Sequence, residues 1–394
     1  MISVSEALTR IQDLFQPLEV EEVPLRHAAG RVLARQVVAR RDQPPFAASS
    51  MDGYALKSSE AVVGARFTVI GESAAGSGFG NAISPGQAAR IFTGAPVPKG
   101  ADKVVMQEDT RRDGNMMTLL DSLDNNDYIR PQGDDFKVGD GIPAPKRLNA
   151  NDVALLASMN IAEVPVYRRP IVALVATGDE LVMPGEDPGP DQIIASNNFG
   201  LAALLEQHGA EVRMLPIARD HADSLKLVFR LCEGADLVVT IGGASVGDHD
   251  IVHSVASELG LDTAFYKVAM RPGKPLMAGK MGRMPMIGLP GNPVSSMVCG
   301  HVFLRPALNI MSGLGGGPLA RERVRLGRAL NANSNREHYL RARLQLENGQ
   351  LTVYPESRQD SALLSVLANS DGMLVRPPMD PPRAVGDMVE VIRF

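Results

Sequence analysis

The stretch that decides the fold of this chain is Ile171–Ala176, IVALVA, which is followed directly by Thr177–Leu181, TGDEL. A short run of apolar residues rich in valine and isoleucine is typical of a strand that is buried on both faces. Such strands belong mainly to parallel sheets covered by helices. We therefore predict that the sequence downstream alternates between strands and helices.

The downstream sequence has this alternation. We predict strands at 211–216, 237–241 and 286–289 and helices at 198–209, 222–233, 252–259 and 294–310. Alternating strands and helices imply a mostly parallel sheet with right-handed crossovers. In such sheets ligands bind beyond the carboxyl ends of the strands. We therefore expect the binding or catalytic residues in the loops that follow the strands.

The segments on either side of this α/β region are predicted to be rich in β-structure. Short strands are expected at 66–71, 89–93, 103–107 and 116–120, and again at 323–328, 339–346, 352–354, 373–376 and 388–392. Asn348-Gly349 is a strong hairpin signal in the second set, which predicts a small sheet or barrel.

Two helical patterns flank the first β-rich segment. Ser3 and Glu6 form a Ser-x-x-Glu capping box ahead of an amphipathic run. A second helix, predicted over 151–157, resembles the first in length and polarity. We expect it to pack back on the first region, which would make 44–136 an insertion.

Composition excludes several classes of protein. The 394 residues are 44% hydrophobic and 22% charged, which is ordinary globular usage and excludes wholesale disorder. The net charge is -5, from 40 basic and 45 acidic residues, which disfavours a dedicated nucleic-acid binder. The longest apolar run, IVALVA, is far too short to span a bilayer, so we expect no membrane association.

The cysteines and the first residues both favour a cytoplasmic protein. Cys232 and Cys299 are the only two cysteines, each in a predicted apolar helix, so we expect buried thiols and no disulfide framework. Ser3, Glu6 and Arg10 interrupt the apolar stretch that a signal peptide would need.

The loop after the first strand contains two adjacent acids, Asp179 and Glu180. At the carboxyl end of a strand, such a pair is suited to binding a divalent cation or moving a proton. The alternative interpretation is a turn followed by a solvated acid.

The loop after the strand 237–241 reads GGASVGDHD over 242–250. Its three glycines and Ser245 would let backbone N–H groups approach an oxyanion closely, and Asp248 and Asp250 would hold a hard metal beside it. A glycine-rich turn with an aspartate cap is the alternative. The Gly-x-Ser-x-Gly match lacks the immediate helix of a hydrolase elbow, and HDIVH lacks a third zinc ligand.

Two further segments favour anion binding. Lys267, Arg271, Lys274, Lys280 and Arg283 fall within 17 residues that contain no acid, and two prolines stiffen the centre of this run. The segment 288–296, GLPGNPVSS, reads as a strand, a Pro/Gly loop and a helix N-terminus. A solvated surface run and simple helix capping by serine are the respective alternatives.

Polar motifs also occur in the β-rich segment 44–136. MDGYA over 51–55, TGAPVPKGAD over 93–102, Arg130 and GDD over 133–135 are biased toward Asp, Thr and Gly. Each of them alone is compatible with a turn. Together they indicate a cleft for a polar ligand.

Taken together, these strings resemble the molybdopterin molybdenumtransferases, the family that includes the E domain of gephyrin. The matching strings are PPF at 44–46 with SMDGYA at 50–55, TGA at 93–95 with GAD at 100–102, TGDEL at 177–181, GGASVG at 242–247, PGKP at 272–275 and GLPGNPVS at 288–295. They run in the family's order, and the flanking regions agree in length and pattern.

The resemblance implies a multidomain fold of α/β and β type. It comprises a bridging domain at 1–43 and 137–166, an inserted β-rich domain at 44–136, an α/β molybdopterin-binding domain at 167–320 and a C-terminal β-barrel at 321–394. It also implies an elongated homodimer whose cleft lies between the α/β domain and the partner's β-domain. The molybdopterin adenylyltransferase and cofactor-accepting enzymes are implied as protein partners.

The resemblance further implies an activity. The family takes adenylyl-molybdopterin and molybdate, cleaves off AMP with Mg²⁺ or another divalent cation, and leaves molybdenum on the dithiolene. The catalytic residues carried over by motif are Asp52, Thr93, Asp135, Glu180, Asp220, Asp250, Lys267 and Arg271. The substrate-binding residues are Ser245, Gly247, Lys274, Pro290, Asn292, Pro293 and Ser295, and the metal ligands are Glu180, Asp248 and Asp250.

The chain departs from the family pattern at three places. Ala47-Ala48 stands where Asp-Asn is common, Gly-Glu-Asn is missing before Arg130, and Arg271 replaces a lysine. Arginine keeps the charge but changes the hydrogen-bonding geometry.

Three alternative functions remain open from the sequence. A molybdopterin adenylyltransferase would resemble the α/β region but not the segments that carry Asp52 and Thr93. A non-catalytic cofactor-binding protein or scaffold would not need the acidic set. A serine hydrolase would be built on Ser245.

Overall fold

The chain begins with a capped helix, as its Ser-x-x-Glu pattern predicts. The computed structural model describes residues 1–243 and 251–394. Helix α1 covers Val4–Gln12, and the Ser3 side chain accepts a hydrogen bond from the Glu6 N–H at 3.1 Å. Val4, Ala7, Leu8 and Ile11 form its buried face. This spacing places one apolar stripe of α1 against the α/β region.

The β-rich segment is a six-stranded sheet with short flanking strands. In chain order the strands are β1 Val20–Pro24, β2 Val32–Leu33, β3 Val37–Val38, β4 Ala48–Ser49, β5 Gly53–Leu56, β6 Arg66–Ser73, β7 Gln87–Ile91, β8 Lys103–Met106, β9 Thr110–Asp113, β10 Met116–Leu119 and β11 Ile129–Arg130. The six-stranded sheet has the order β8-β5-β7-β6-β10-β9. All four strands predicted in this segment are present.

The chain then returns to the region from which it started. Strands β12 Gly141–Ile142, β13 Lys146–Arg147 and β14 Glu163–Tyr167 surround helix α2, Ala150–Ser158. Strand β14 pairs antiparallel with β1, and one apolar cluster joins Val23 and Leu33 to Leu156 and Val164. The helix predicted at 151–157 is confirmed, and it packs against residues from the start of the chain.

The central region is a mixed sheet with helices on both faces. Its elements are β15 Ile171–Ala176, β16 Leu181–Val182, β17 Ile193–Ile194, α3 Asn197–Gln207, β18 Glu211–Met214, α4 Ala222–Leu231, β19 Leu237–Ile241, α5 Ile251–Glu258, β20 Leu261–Tyr266, β21 Met270–Arg271, β22 Met277–Met281, β23 Met284–Leu289, α6 Pro293–Cys299, a π-helical turn Gly300–Leu304 and α7 Arg305–Met311. The main sheet has the order β18-β15-β19-β23-β22-β20.

Strand β15 explains why IVALVA is apolar at every position. Val172 and Leu174 point into the cluster that contains α1 and α3, whereas Ala173 and Val175 point into the cluster that contains α4 and α5. Because both faces of this strand are buried, its sequence lacks the alternation of apolar and polar residues that a half-exposed strand has.

The sheet is mostly parallel, as predicted, but its far edge is not. The pairs β18–β15, β15–β19 and β19–β23 are parallel, whereas β22 pairs antiparallel with both β23 and β20. Strands β20 and β22 were not predicted. The turn at Gly282, with a φ of 62°, connects β22 to β23 in a tight hairpin.

The long helix predicted over 294–310 is interrupted. A π-helical turn, Gly300–Leu304, separates α6 from α7. Pro306 stands at the start of α7 and has no N–H to donate to the carbonyl four residues earlier. The apolar pattern continues through the interruption, so periodicity alone could not reveal it.

The C-terminal region is a closed barrel, which confirms the prediction. Its elements are β24 Glu322–Leu326, β25 Glu337–Glu347, β26 Gln350–Pro355, α8 Leu364–Ala368, β27 Gly372–Arg376 and β28 Met388–Arg393. The strand order is β25-β26-β24-β28-β27, and a β25–β27 pairing closes the ring. Strand β21 adds to β25 in parallel and joins the barrel to the α/β region. No helix among the described residues is long and apolar enough to cross a membrane.

Candidate functional site

A cavity of about 590 Å³ lies at the carboxyl ends of β15, β19 and β23, where the sequence predicted a ligand site. Its walls come from the loops after these three strands and from the start of α3. The lining residues include Thr177, Glu180, Ser196, Asn197, Asn198, Gly243, Pro290, Gly291, Asn292 and Pro293. We call it the strand-end cavity.

The glycine-rich turn after β19 needs its glycines for steric reasons. Gly242 and Gly243 have φ values of 90° and 66°. A Cβ on Gly243 would lie 2.2 Å from Val252 Cγ2, so no other residue fits without displacing α5. The rest of this loop, with the predicted site residues Ser245, Gly247, Asp248 and Asp250, lies outside the described residues.

Three acids converge beside the strand-end cavity. The Asp220 N–H donates to Asp179 Oδ1 at 3.3 Å, and Arg219 Nη1 donates to the Asp179 carbonyl at 2.9 Å. Burial raises the pKa of Asp220, and the charges of Asp179 and Glu180 raise it further. The loops after β15 and β18 therefore concentrate negative charge at one point.

Such a cluster has the oxygen donors that a hard cation such as Mg²⁺ prefers. A cation bound there would offset the repulsion that raises the pKa of Asp220. The described residues contain no group of three or more His, Cys, Asp or Glu side chains arranged to hold a metal ion. The metal set Glu180, Asp248 and Asp250 stays a prediction, since two of its members lie outside the described residues.

The loop after β23 is held rigidly at the cavity wall. Asn292 occupies the N-cap position of α6 without a side-chain capping bond, and Pro293 is the first residue of the helix. The Ser296 hydroxyl donates to the Pro290 carbonyl, and Asn197 Nδ2 donates to the Gly291 carbonyl at 2.7 Å. Of the predicted residues in this loop, Pro290, Asn292 and Pro293 line the cavity, whereas Ser295 is buried in α6 and is not among the lining residues.

The basic run does not form one patch. Pro275, next to Lys274, lines the strand-end cavity. Lys267 has a φ of 75°, and its ammonium lies 5.1 Å from the centre of the Tyr266 ring. Arg271 is on β21 at the barrel.

Strand β22 runs away from this end of the sheet and carries Lys280 toward the turn at Gly282. Arg283 follows that turn and lines a different surface depression, together with Phe229 and Arg230. Strand β22, which was not predicted, therefore separates Lys280 and Arg283 from Lys267, Arg271 and Lys274, the three cations of the predicted site.

A second polar surface lies on the β-rich region. Thr93 donates to Asp52 Oδ1 twice, from its N–H at 2.7 Å and from its hydroxyl at 2.8 Å. These two bonds and, to a smaller extent, the charge of Arg90 lower the pKa of Asp52. Asp52 is therefore held ionised at neutral pH.

A cavity of about 550 Å³ lies beside this pair. Its lining includes Pro44, Gly94, Arg130 and Asp135, so the predicted residue Asp135 belongs to this surface. Ala48, at the departure from the family pattern, is also in its wall.

The two surfaces are separate within one chain. Glu180 lines the strand-end cavity, whereas Asp135 lines the cavity beside Asp52 and Thr93. Among the described residues, neither cavity is lined by residues of the other region. The two acidic sets therefore belong to different surfaces of the chain.

Sequence reasoning missed two polar residues of these surfaces. Asn197 lines the strand-end cavity and binds the loop after β23, but its sequence context reads only as the start of a helix. On the second surface, Arg90 donates to the carbonyl of Gly53, the residue after Asp52. Its position inside a predicted strand gave no sign of this contact. Neither residue has a local signal, because each contact crosses many positions of the chain.

Three family models together match most of the chain. They are the MoeA N-terminal region (domain I and II) at residues 2–160, a probable molybdopterin binding domain at 173–310 and the MoeA C-terminal region (domain IV) at 323–394.

Similar proteins and structures extend over nearly the whole chain. A molybdopterin molybdenumtransferase of Nostoc sp. is 37% identical, over 91% of this chain and 85% of its own length. One from Staphylococcus epidermidis is 31% identical, over 99% of this chain and 95% of its own. The crystal structure of the molybdopterin biosynthesis MoeA protein from Pyrococcus horikoshii OT3 is 26% identical and covers 100% of both chains, with a TM-score of 0.85.

The three family models and these relatives together span nearly the whole chain. The chain therefore belongs to the MoeA family, the molybdopterin molybdenumtransferases.

Proposed function

We propose that this protein inserts molybdate into adenylyl-molybdopterin, with metal-dependent release of AMP, to form Mo-molybdopterin. The relatives are named molybdopterin molybdenumtransferases, which supports this transferase reaction. The observation that carries the proposal is the convergence of Asp179, Glu180 and Asp220 beside a cavity at the carboxyl ends of parallel strands. A phosphoanhydride and an oxyanion need such anion-binding loops next to carboxylates.

In this proposal, different residues of the strand-end cavity bind the anions, hold the metal ion and transfer a proton. Backbone N–H groups of the glycine-rich turn and of the loop at Pro290–Pro293 bind the phosphates and molybdate, with Lys274 as a cation at the loop entrance. Glu180, Asp248 and Asp250 would hold Mg²⁺, which when bound neutralises charge on the phosphoanhydride. Burial and two neighbouring carboxylates raise the pKa of Asp220, which favours a role for this residue in proton transfer.

The second set of residues would come from another subunit. Asp52, Thr93 and Asp135 lie on a surface separate from Glu180, so we propose a homodimer in which the β-rich domain of one subunit closes the strand-end cavity of the other. We propose the domain division expected from the sequence: bridging segments at 1–43 and 137–166, an insertion at 44–136, the α/β domain at 167–320 and the barrel at 321–394. The single cluster that joins Val23 to Leu156 supports the split bridging domain.

The cellular setting is part of the same proposal. We place the protein in a reducing cytoplasm, supported by two buried free cysteines, Cys232 and Cys299. Burial raises the pKa of the Cys232 thiol to about 12, so it is inert at neutral pH. The molybdopterin adenylyltransferase and cofactor-accepting enzymes are its proposed protein partners.

The direct test is AMP release by the purified protein. We expect adenylyl-molybdopterin with Mg²⁺ to release AMP upon addition of molybdate, and Glu180→Gln and Asp52→Asn to release little while still binding the substrate. No AMP from the wild-type protein would favour a cofactor-binding or scaffold function. Formation of an AMP adduct from ATP and metal-free molybdopterin would instead identify an adenylyltransferase, and labelling of Ser245 by a fluorophosphonate probe would identify a serine hydrolase.

Complementation between inactive variants tests the shared cleft. In a mixed dimer of Asp52→Asn and Glu180→Gln, one of the two clefts regains both wild-type residues if the site is built from two subunits. Random subunit exchange should then restore about one quarter of wild-type activity. A mixture as inactive as the separate variants, despite exchange shown by differently tagged subunits, would disprove the two-subunit site.

A further inference from the structure

We infer that Arg90 is a positioning residue of this enzyme: it holds the Asp52–Thr93 pair in the orientation and charge state that the reaction needs. The inference rests on the proposed function, in which that pair takes part in the reaction. Arg90 lies on β7, directly opposite Tyr54 on β5, and Asp52 comes immediately before β5.

The guanidinium of Arg90 is fixed between two aromatic rings. Its central carbon lies 5.2 Å from the centre of the Tyr54 ring and 4.7 Å from that of the Phe92 ring. Tyr54 is itself 5% exposed, so this ring is anchored in the sheet core. A planar cation over aromatic faces is attracted by the ring quadrupoles and loses most of its freedom.

Hydrogen bonds then aim the guanidinium at the segment that carries Asp52. Nη1 donates to the Gly53 carbonyl at 3.0 Å, and Nη2 donates to Gln107 Oε1 at 2.6 Å. The Gln107 N–H in turn donates to the Asp52 carbonyl at 3.1 Å. Arg90 thus contacts, directly or through Gln107, the two backbone carbonyls that follow the Asp52 side chain.

Thr93 lies only three positions after Arg90 along the chain. It follows Phe92, whose ring covers the guanidinium, and it donates twice to Asp52 Oδ1. No hydrogen bond from the described residues reaches the other oxygen, Oδ2, which leaves that oxygen for a ligand. Loss of Arg90 would release Phe92 and Gln107 together and let the pair separate.

The loss of Arg90 is expected to change the pKa of Asp52, which can be measured. Arg90 is the cation on β7, the strand that pairs with β5 directly after Asp52. Besides the two Thr93 bonds, Arg90 is the charge that lowers the pKa of Asp52. Removing it takes away that favourable charge, so Asp52 should take up its proton at higher pH.

The chemistry requires arginine specifically. The forked guanidinium donates to two acceptors in one plane while it stacks on two rings, and an ammonium cannot reproduce this geometry. Arg90→Lys keeps the charge and loses the fork, whereas Arg90→Gln loses both. The two variants therefore separate the electrostatic effect from the geometric effect.

The test is the pH dependence of molybdate-dependent AMP release for Arg90→Gln, Arg90→Lys and the matched control Arg111→Gln, which removes an exposed arginine from β9 of the same sheet. We expect Arg90→Gln to lower kcat by about 10-fold or more, with KM changed less, and to move the acidic limb of the profile to higher pH. Arg90→Lys should lower kcat but leave the limb in place. Arg111→Gln should match the wild-type protein.

A second measurement does not depend on activity. Titration of the ¹³C-labelled Asp52 carboxylate, assigned by its loss in Asp52→Asn, should show a higher pKa in Arg90→Gln than in the wild-type and Arg111→Gln proteins. Unchanged kinetics in both Arg90 variants, or an unchanged Asp52 titration in Arg90→Gln, would overturn the inference. A wild-type protein without AMP release would instead contradict the proposed function, and the titration would still decide the role of Arg90. If Arg90→Gln melts early, Arg90→Lys provides the kinetic comparison.

Discussion

Thr93 donates two hydrogen bonds to one carboxylate oxygen of Asp52, from its backbone at 2.7 Å and from its hydroxyl at 2.8 Å, although the two residues are 41 positions apart. The pairing of β5 with β7 makes this possible, since Gly53 lies opposite Ile91 in the register. The two hydrogen bonds therefore orient one carboxylate on an exposed surface and favour its ionised form.

Replacing Thr93 by valine should weaken this interaction without unfolding the protein. Valine keeps the backbone N–H donor and removes the hydroxyl, so the pKa of Asp52 should rise toward its ordinary value. The acidic limb of the pH profile for AMP release should then move to higher pH. Thr93→Ser, which keeps the hydroxyl, is the control, and equal profiles for the two variants would contradict this role of the hydroxyl.

Glu180→Gln should inactivate the enzyme and at the same time stabilise it. Burial and the charges of Asp179 and Glu180 raise the pKa of Asp220, so ionisation of Asp220 costs stability as the pH rises above its ordinary range. Removing the Glu180 charge should raise the melting temperature by about 1–2 °C at pH 7, and the gain should vanish as the carboxyl groups become protonated.

The same variant tests the proposed metal. In the wild-type protein, Mg²⁺ should raise the melting temperature at pH 7, because it binds the folded state. Glu180→Gln should respond less. A variant that is inactive, no more stable at pH 7 and equally responsive to Mg²⁺ would contradict the assignment of Glu180 to a repulsive, cation-binding cluster.

Gly273→Ala should destabilise the loop that carries Lys274. Gly273 has a φ of 108°, and a Cβ there would lie 2.5 Å from the Sγ of Cys299, the buried last residue of α6. Strain and overpacking together should cost about 3 kcal/mol. Gly282→Ala, with a φ of 62° and open space around it, should cost only about 1 kcal/mol, measured by urea unfolding. Equal costs would show that the loop does not depend on close packing against Cys299.

Asp380→Asn should weaken the barrel strongly. Asp380 and Arg376 are 5% and 3% exposed, and Asp380 Oδ1 also accepts from Arg383 at 2.5 Å. Burial alone would raise the pKa of Asp380, but the hydrogen bonds from Arg383 and Arg376 outweigh it and hold the pKa below its ordinary value. The pair therefore stabilises the fold above the ordinary carboxyl pKa, and this contribution is lost as the pH falls through the lowered value.

Asp380→Asn would leave the Arg376 charge buried without a carboxylate. This should lower the free energy of unfolding by about 3–5 kcal/mol near neutral pH. Glu322→Gln is the matched control, because its ion pair with Arg393 is 46% and 53% exposed and should contribute about 0–1 kcal/mol. Urea midpoints at pH 7 measure both changes. A loss for Asp380→Asn no larger than that for Glu322→Gln would show that this buried pair does not stabilise the barrel.

Much of the architecture could be read from local patterns. Ile171–Ala176 is apolar at every position and forms the doubly buried strand β15, and Asn348-Gly349 forms its hairpin with φ values of 48° and 76°. Because the carboxyl ends of parallel strands share one edge, the order of the motifs also located the strand-end cavity with Glu180, Pro290, Asn292 and Pro293. Family resemblance added the closed barrel and the residues on the β-rich region.

The rest was decided by contacts between distant positions. The antiparallel strand β22 separates Lys280 and Arg283 from Lys274, and nothing in the spacing of the cations indicates this. Arg90 reaches the Asp52 segment only through the register of β5 and β7. Local sequence determines which segments become strands and where glycine must stand, because these depend on near neighbours along the chain. Which side chains meet depends on strand order and register, and these are determined by the burial of the whole apolar core.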